Sequence, residues 1–445
     1  MKNEFTEGSV PRTLFRFSFP ILLTNLAQAS MLLINGLWVG NLLGSAAFAA
    51  LTVGTTVMVV ILAFVLGMNN ATLTIFAQLK GAGEQAGINA YLSAFSIILA
   101  LLSLLIGMAG YFGSAHLLAL LNTPAPIMEA AHQYLQINFI GTLFLAGYNF
   151  VGTLLRAFGD SKTPLYFVLL ATALTAILDP VFIAGFGLGL NGAAVATVLA
   201  QAIAFLASVV YLSRRLVHRS FRFQLPRKEE VATILKLGVP SGIQMIVIYA
   251  GMTAILSLVN TFGDDVVAGF GVAQRLDNIV LLPAVALGAA VNAMAAQNIG
   301  AAQWGRVAQI SRVGIAFNLA VMSACAAMLF LLAEPLVRLF IQHEGSVAFG
   351  VSYLRTIALF YPFIGLNFIL NGVVRGAGAM FQVLMLNIIS LWLLRVPLTF
   401  WMTSLYGEAG IALGIGTSFL ISSGFSVAYY RWGRWRSRQL FTAAS

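Results

Sequence analysis

Charged residues are scarce in this sequence. Asp, Glu, Lys and Arg together make up 9% of the 445 residues, whereas a soluble domain carries about 25%. So few charges cannot cover the surface of a water-soluble fold, and 60% of the residues are hydrophobic. The scarcity of charge therefore excludes an ordinary soluble domain and predicts an integral membrane protein.

Cysteines and clustered metal ligands are also missing. The single cysteine, Cys325, excludes an intrachain disulfide and a Cys-based zinc site, and its apolar neighbours favour a packed hydrophobic role. An integral-membrane enzyme would need clustered acids, a metal site or a nucleophile–base pair. The histidines show no ligand spacing: they are His116, His132, His218 and His343. We therefore expect no enzyme activity, no metal and no cofactor.

The net charge of +10 does not indicate nucleic-acid binding, because membrane proteins collect Lys and Arg in their cytoplasmic loops. If both termini are cytoplasmic, the cytoplasmic segments hold all of the 24 basic residues except Arg275, Arg338, Arg355 and Arg395. We therefore predict a multi-pass protein of the inner (plasma) membrane with both termini in the cytoplasm. We expect it to contact the lipid bilayer and to bind no nucleic acid.

The apolar runs are long enough for twelve transmembrane helices, since a membrane span needs about 20 mostly apolar residues. The first run is too long for the apolar core of a signal peptide, about 7–15 residues, and is expected to be retained. The fold class is predicted to be all-α integral membrane. In chain order the predicted spans are residues 14–43, 46–78, 88–112, 127–155, 163–184, 190–213, 231–262, 265–297, 307–332, 346–374, 380–404 and 408–431.

The second half of the chain repeats the first. Residues at matching helix ends are separated by 219 or 220 positions: Gln78 and Gln297, Gly81 and Gly300, Arg156 and Arg375, Pro20 and Pro240. Six spans in each half predict two six-helix lobes related by a pseudo-two-fold axis along the membrane normal. The predicted domains are an N-terminal lobe at 1–213, a cytoplasmic linker at 214–230, a C-terminal lobe at 231–432 and a cytoplasmic tail at 433–445. Two equal bundles favour a transporter that works by alternating access, with its substrate held between the lobes.

Asp179 lies alone in an apolar run, between Lys162 and Arg214 as the nearest charges. A charge at the bilayer centre costs about 2.5–3.5 kcal/mol on insertion scales, so such a residue faces a cavity or a partner. Burial disfavours the charged carboxylate, and such a group can take a proton from one side and release it to the other. The alternative role is a hydrogen bond at the helix break made by Pro180, which lacks a backbone N–H.

Three segments of the chain are distinctive: "FPILLTNLAQASMLLINGLWVGNLLGSAAFAA", "LDPVFIAGFGLGLNGAAVATVLAQ" and "GVAQRLDNIVLLPAVALGAAVNAMAAQNIGAA". Together they resemble the multidrug and toxic compound extrusion (MATE) family, and the resemblance covers nearly the whole chain. The loop "AQLKGAGEQAG" lacks the basic signature of the major facilitator superfamily. The resemblance implies an exporter of lipophilic, often cationic small molecules, driven by inward flow of protons or sodium ions. We expect it to act as a monomer.

In the proton-linked branch of that family, related to the DNA-damage-inducible members, a polar cluster in the amino-terminal lobe carries the coupling ion. Asn35 stands where relatives that use a first-helix acid have a carboxylate, and an Asn side chain does not titrate. Coupling by two carboxylates in this lobe is therefore excluded, whether Asn35 is natural or an engineered replacement. The cluster that the resemblance implies is Asp179, Asn35, Tyr134, Asn149, Thr175 and Thr197.

Two alternatives to proton coupling of drug export stay open. Sodium-linked relatives often carry acids on spans 7 and 10, where this chain has Asn260, Asn367 and Asn371 and no carboxylate. This favours protons, although oxygens of the implied cluster could also bind a sodium ion. The other alternative is a lipid-linked saccharide flippase of the same superfamily. Such flippases tend to have cavities lined by several Arg residues and extra helices, which this chain lacks.

Flexible Met and aromatic side chains can bind varied lipophilic cations, although the same residue types also contact lipid or pack in a protein core. Arg275 and Asp277 are two residues apart on a predicted helix and point about 200° apart, so they cannot face each other. Arg395 has no acid one turn away and is expected to extend to the membrane interface. The predicted hinges are Pro20 and Pro180. The predicted substrate cavity contains Met31, Leu32, Phe64, Met68, Phe150, Phe270, Arg275 and Asp277.

Overall fold

The computed structural model describes residues 5–217 and 223–441, with the side chains of residues 60, 62, 66 and 215–217 excepted. Within these residues every regular element is helical. Short 3₁₀ turns lie at Asn260–Phe262 and Arg434–Arg438, and π-helical segments at Val181–Gly185 and Ile389–Arg395. The α-helices are α1 Val10–Ala82, α2 Gln85–Leu120, α3 Ala125–Ile140, α4 Thr142–Ala157, α5 Lys162–Pro180, α6 Gly189–Val217, α7 Lys228–Val259, α8 Asp264–Gly300, α9 Trp304–Arg338, α10 Glu344–Ala358, α11 Tyr361–Gly376, α12 Met380–Ile388, α13 Val396–Tyr406 and α14 Ala409–Trp432.

The helices account for the twelve predicted spans. In the described residues, nine helical stretches are long and apolar enough to cross a membrane, and two bent helix pairs raise the number to eleven. The 73 residues of α1 contain two helices joined at Gly44, which supplies the twelfth span. Gly44 has φ 83° and ψ −172°, a backbone conformation that favours a residue without Cβ. The all-α membrane fold class is confirmed.

Two spans predicted as single helices are broken. Residues 127–155 fold as α3 and α4, bent by 48°, and residues 346–374 fold as α10 and α11, bent by 52°. Gly141 separates the first pair, and a Cβ there would lie 2.4 Å from a methyl group of Val198. In the second pair Pro362 lies in the first turn of α11, where its missing N–H costs no helical hydrogen bond. Apolar composition continues through both breaks, so hydropathy alone does not detect them.

The predicted linker and tail fall partly outside the described residues, at 218–222, which includes His218, and at 442–445. The described residues group into two compact units. Unit 2 contains Leu23–Lys80 and the described part of Glu84–Gly238. Unit 1 contains the chain up to Leu22, Gly81–Gly83, and the chain from Val239 onward. The lobe boundaries inferred from the repeat stay a prediction.

The N-terminal segment belongs to unit 1 because polar side chains of that unit hold its backbone. The carbonyl oxygen of Phe5 accepts hydrogen bonds from Asn298 Nδ2 at 2.9 Å and from an Arg306 Nη at 3.1 Å. Arg306 also donates to the carbonyl of Gly8 at 3.2 Å. Phe5 is buried, and its ring meets that of Phe17 edge to face with centroids 4.8 Å apart.

Candidate ion-coupling site

Asp179 is the penultimate residue of α5 and is completely buried in unit 2. Pro180 ends α5, and the next turn is the π-helical segment Val181–Gly185. Because Pro180 has no backbone N–H, the regular hydrogen-bond ladder cannot continue through it. π-helical turns are rare and occur frequently at functional sites. The buried carboxylate therefore lies directly beside a helix irregularity.

The side-chain amide of Asn35 lies between Asp179 and Thr197. One end of the amide is 2.5 and 3.1 Å from the two carboxylate oxygens of Asp179, and the other is 3.0 Å from Thr197 Oγ1. All three side chains are buried. They come from α1, α5 and α6, so packing among three helices joins residues that are 144 and 162 positions from Asn35 in the sequence.

The amide can satisfy this cluster in two orientations. When Asp179 is ionised, its oxygens can only accept, so Asn35 Nδ2 donates to Asp179 and Asn35 Oδ1 accepts from the Thr197 hydroxyl. When Asp179 is protonated, its O–H can donate to Asn35 Oδ1, and Nδ2 donates to Thr197. The residue types therefore allow the Asp179 carboxyl group and the Asn35 amide to be hydrogen-bonded to each other with and without a proton on Asp179.

Thr175 and Tyr134 also border this cluster. Thr175 is one turn before Asp179 on α5; its hydroxyl is buried and has no hydrogen-bond partner among the described residues. Tyr134 on α3 is buried, interacts electrostatically with Asp179 and packs against Gly54. A Cβ at Gly54 would lie 2.6 Å from the Tyr134 ring, so the glycine makes room for the phenol.

Asn149 has different neighbours. Its Nδ2 donates to the Leu145 carbonyl in its own helix at 2.9 Å, and its Oδ1 accepts from Gln28 Nε2 at 3.4 Å. Gln28 is a polar residue of α1 that the sequence interpretation missed. Its position seven residues before Asn35 was the available signal, because residues seven apart share one helix face.

The residues of the predicted substrate cavity have varied environments. Met31, Met68, Phe150 and Phe270 are buried, Phe64 and Asp277 are half-buried, and Leu32 and Arg275 are exposed. Phe150 packs against the rings of Phe76 and Phe95, with centroids 6.4 and 5.8 Å away. It also lines a mostly apolar cavity of about 590 Å³ bounded by residues of α2, α4 and α6 and by Phe223. That these residues bind substrate stays a prediction.

The two predicted hinge prolines differ in their local structure. α1 is helical through Pro20, and Gly44 is its one residue with non-helical backbone angles. Pro180, in contrast, directly precedes the π-helical segment. Metal binding has no candidate in residues 5–217 and 223–441, since no three His, Cys, Asp or Glu side chains lie together there.

A helical protein whose described residues contain twelve spans, with repeated halves and a buried polar cluster around one carboxylate, is by class a membrane transporter. The sequence profile of the MatE family matches the chain twice, over residues 20–181 and 240–401. "Probable multidrug resistance protein YpnP" of Bacillus subtilis (strain 168) is 51% identical over 99% of both chains. "Probable multidrug resistance protein YoeA" of the same strain is 29% identical over 98% of this chain and 96% of its own.

The fold has a counterpart among solved structures. The outward-facing conformation of a multidrug resistance MATE family transporter of the MOP superfamily matches with a TM-score of 0.91. That match covers 98% of this chain and 99% of the other at 22% identity. The chain belongs to the MatE family: it is a multi-pass membrane transporter and not an enzyme. The two family matches begin 220 residues apart (240 − 20), in agreement with the internal repeat.

Proposed function

We propose that this chain is a secondary active multidrug exporter of the proton-linked branch. It moves lipophilic, often cationic compounds out of the cell by alternating access, coupled to inward proton flow through Asp179, as a monomer with both termini in the cytoplasm. The observation that carries the proposal is the buried Asp179–Asn35–Thr197 cluster, in a chain half identical to a relative named for multidrug resistance.

The absence of a paired cation supports the coupling role of Asp179. Among the described residues, Asp179 makes no ion pair with Lys, Arg or His, and Asn35 and Thr197 are neutral. The charge of this site therefore changes from −1 to 0 when Asp179 binds a proton. An exported cation and an incoming proton can then compete for the same negative charge, which makes their binding mutually exclusive and links their movements.

Asn35 gives the site a hydrogen-bonded arrangement for each protonation state of Asp179. Leaving a buried polar group without a partner costs about 1–3 kcal/mol, and more for a charged group. Reversal of the Asn35 amide avoids that cost when Asp179 gains or loses a proton. Asp179 can then bind and release a proton without being trapped in one protonation state. A coupling group must bind and release its proton once in every transport cycle.

A gradient-swap experiment tests the proposed function. The purified protein is placed in vesicles with an ethidium-type dye, and either a pH gradient or a sodium gradient is imposed. We expect dye accumulation to follow the pH gradient and to collapse when a protonophore is added. Accumulation that follows only the sodium gradient would replace the proton by sodium, and no dye movement under either gradient would contradict the proposed function.

The variant Asn35→Leu tests the amide. Leucine fills a similar volume but leaves ionised Asp179 without its donor, and hydrogen bonds to charged groups contribute about 1.5–3 kcal/mol. We expect the rate of proton-driven dye export to fall by at least about tenfold. The matched control is Asn260→Leu, the same change at an exposed position, which should keep the parent rate. Equal rates in the two variants would rule out the amide mechanism.

A further inference from the structure

We propose that Asp277, Tyr353 and Tyr361 form a second proton-binding site, in unit 1, so that the exporter exchanges two protons for each substrate cation. This inference rests on the proposed proton-driven export and adds a site to it. Asp277 lies on α8 and accepts hydrogen bonds from both phenol groups. Tyr361 Oη donates to one carboxylate oxygen, and Tyr353 Oη donates to the other over 3.4 Å.

The two tyrosines seal one side of this carboxylate from solvent. Tyr353 is 4% exposed and Tyr361 is 1% exposed. The rings of Phe270 and Phe349 pack against Tyr353, with centroids 5.3 and 6.2 Å away. Arg275, two residues before Asp277, is exposed and gives no ion pair with it in the described residues. The carboxylate of Asp277 is therefore held by neutral hydroxyl groups. A carboxylate that binds and releases a proton needs neutral partners of this kind.

The carboxyl group of Asp277 can be hydrogen-bonded in both protonation states. An ionised Asp277 accepts from two hydroxyl groups, whereas a protonated Asp277 donates its own proton to a tyrosine oxygen, which has free lone pairs. Asp277 belongs to no group of three or more His, Cys, Asp or Glu side chains in the described residues, so the site does not have the ligand set of a metal centre. A proton is the ion that this chemistry fits.

The other charged or titratable groups nearby are few. Arg395, the last residue of the π-helical segment Ile389–Arg395, interacts electrostatically with Tyr353. Its Nε donates to Ser418 Oγ at 3.2 Å, and its guanidinium lies 4.6 Å from the ring centre of Phe419. No ion pair between Arg395 and Asp277 is present in the described residues. Cys325 on α9 is another titratable side chain near Tyr361.

The internal repeat provides an independent argument. Tyr134 and Tyr353 are 219 residues apart (353 − 134), the offset that separates Arg156 from Arg375. Each tyrosine lies on the first segment of its unit's bent helix pair, α3 in unit 2 and α10 in unit 1. Each also interacts with its own unit's buried or half-buried carboxylate, Asp179 or Asp277. The repeat therefore places an equivalent tyrosine beside a carboxylate in each unit.

Counting protons tests the second site. The purified protein in weakly buffered detergent solution is mixed with ethidium, and a pH indicator records the protons released when the cation binds. We expect two protons per bound ethidium from the parent chain and one from Asp277→Asn. The conservative variant Asp277→Glu should restore the second proton. An equal count in the parent and Asp277→Asn, or a parent count of one, would overturn the inference.

Transport against a membrane potential provides the second measurement. Exchange of two protons for one cation moves a net charge, and 100 mV acting on one charge changes the accumulation ratio by about 50-fold. With valinomycin and potassium setting the potential, we expect this dependence in the parent and none in Asp277→Asn, which should retain its response to the pH gradient. Retention of the parent's potential dependence by Asp277→Asn would also overturn the inference. Failure of the proposed function is distinguishable, because the parent would then show no proton-driven transport at all.

Discussion

Replacement of Asp179 by Asn is expected to abolish proton-driven dye export. An amide at position 179 resembles the protonated carboxyl in shape and charge, so the transporter is held in its proton-loaded form and cannot attract the cation. One pH unit corresponds to about 1.36 kcal/mol, or tenfold accumulation for each proton exchanged. We therefore expect the dye gradient that a one-unit pH difference supports in the parent to fall to the level of vesicles without protein.

The control for this prediction is Asp264→Asn, which removes an exposed carboxylate at the start of α8 and should leave accumulation unchanged. The same Asp179→Asn change should also be made in the Asn35→Asp background. The Asn35→Asp substitution introduces a titratable group into the cluster, so any recovery there would show that the site needs one carboxylate at either position. Proton-driven accumulation by Asp179→Asn at the parent level, in both backgrounds, would disprove the coupling role.

The sequence is sufficient to predict the apolar spans and the unusual position of Asp179, because both depend on local composition. It does not predict that Asn35 contacts Asp179 and Thr197 at once, since those contacts depend on how three helices pack. The family resemblance grouped these residues in one cluster, and the structure gives the distances between them. The same resemblance grouped Asn149 with them, yet Asn149 bonds to Gln28 and to its own helix.

The side-chain contacts in unit 1 were less predictable from the sequence, for a physical reason. The angle of about 200° between Arg275 and Asp277 on a helix predicts different environments for the two side chains. In agreement, Arg275 is exposed and Asp277 is half-buried. It cannot identify Tyr353 and Tyr361 as partners, because tyrosines in apolar spans also occur as core or interface residues. Arg395 was expected to extend to the interface, but it packs on Phe419 and donates to Ser418. Both partners lie on α14, and the contact between α14 and Arg395 depends on helix packing that the sequence alone does not predict.

The glycines where α8 crosses α11 in unit 1 lead to the largest expected effect on stability. A Cβ at Gly372 would lie 2.6 Å from the carbonyl oxygen of Gly288, and a Cβ at Gly288 would lie 2.9 Å from that of Phe368. Gly376, one turn after Gly372, approaches Asn292 and Ala296 in the same way. Small residues four apart allow membrane helices to pack through their backbones, and a backbone carbonyl cannot move aside as a side chain can.

The variant Gly372→Val is therefore expected to force the two helices apart. Overpacking of a close contact costs about 1–3 kcal/mol and sometimes more, whereas valine at an open helical position is more favourable than glycine. The control is Gly424→Val on α14, where a Cβ has open space. We expect Gly372→Val to lower the melting temperature in detergent by about 5–10 °C relative to that control, measured by the loss of the monodisperse size-exclusion peak after heating. Equal melting of the two variants would mean that the α8–α11 crossing tolerates a side chain, and that backbone contact does not set the stability of this unit.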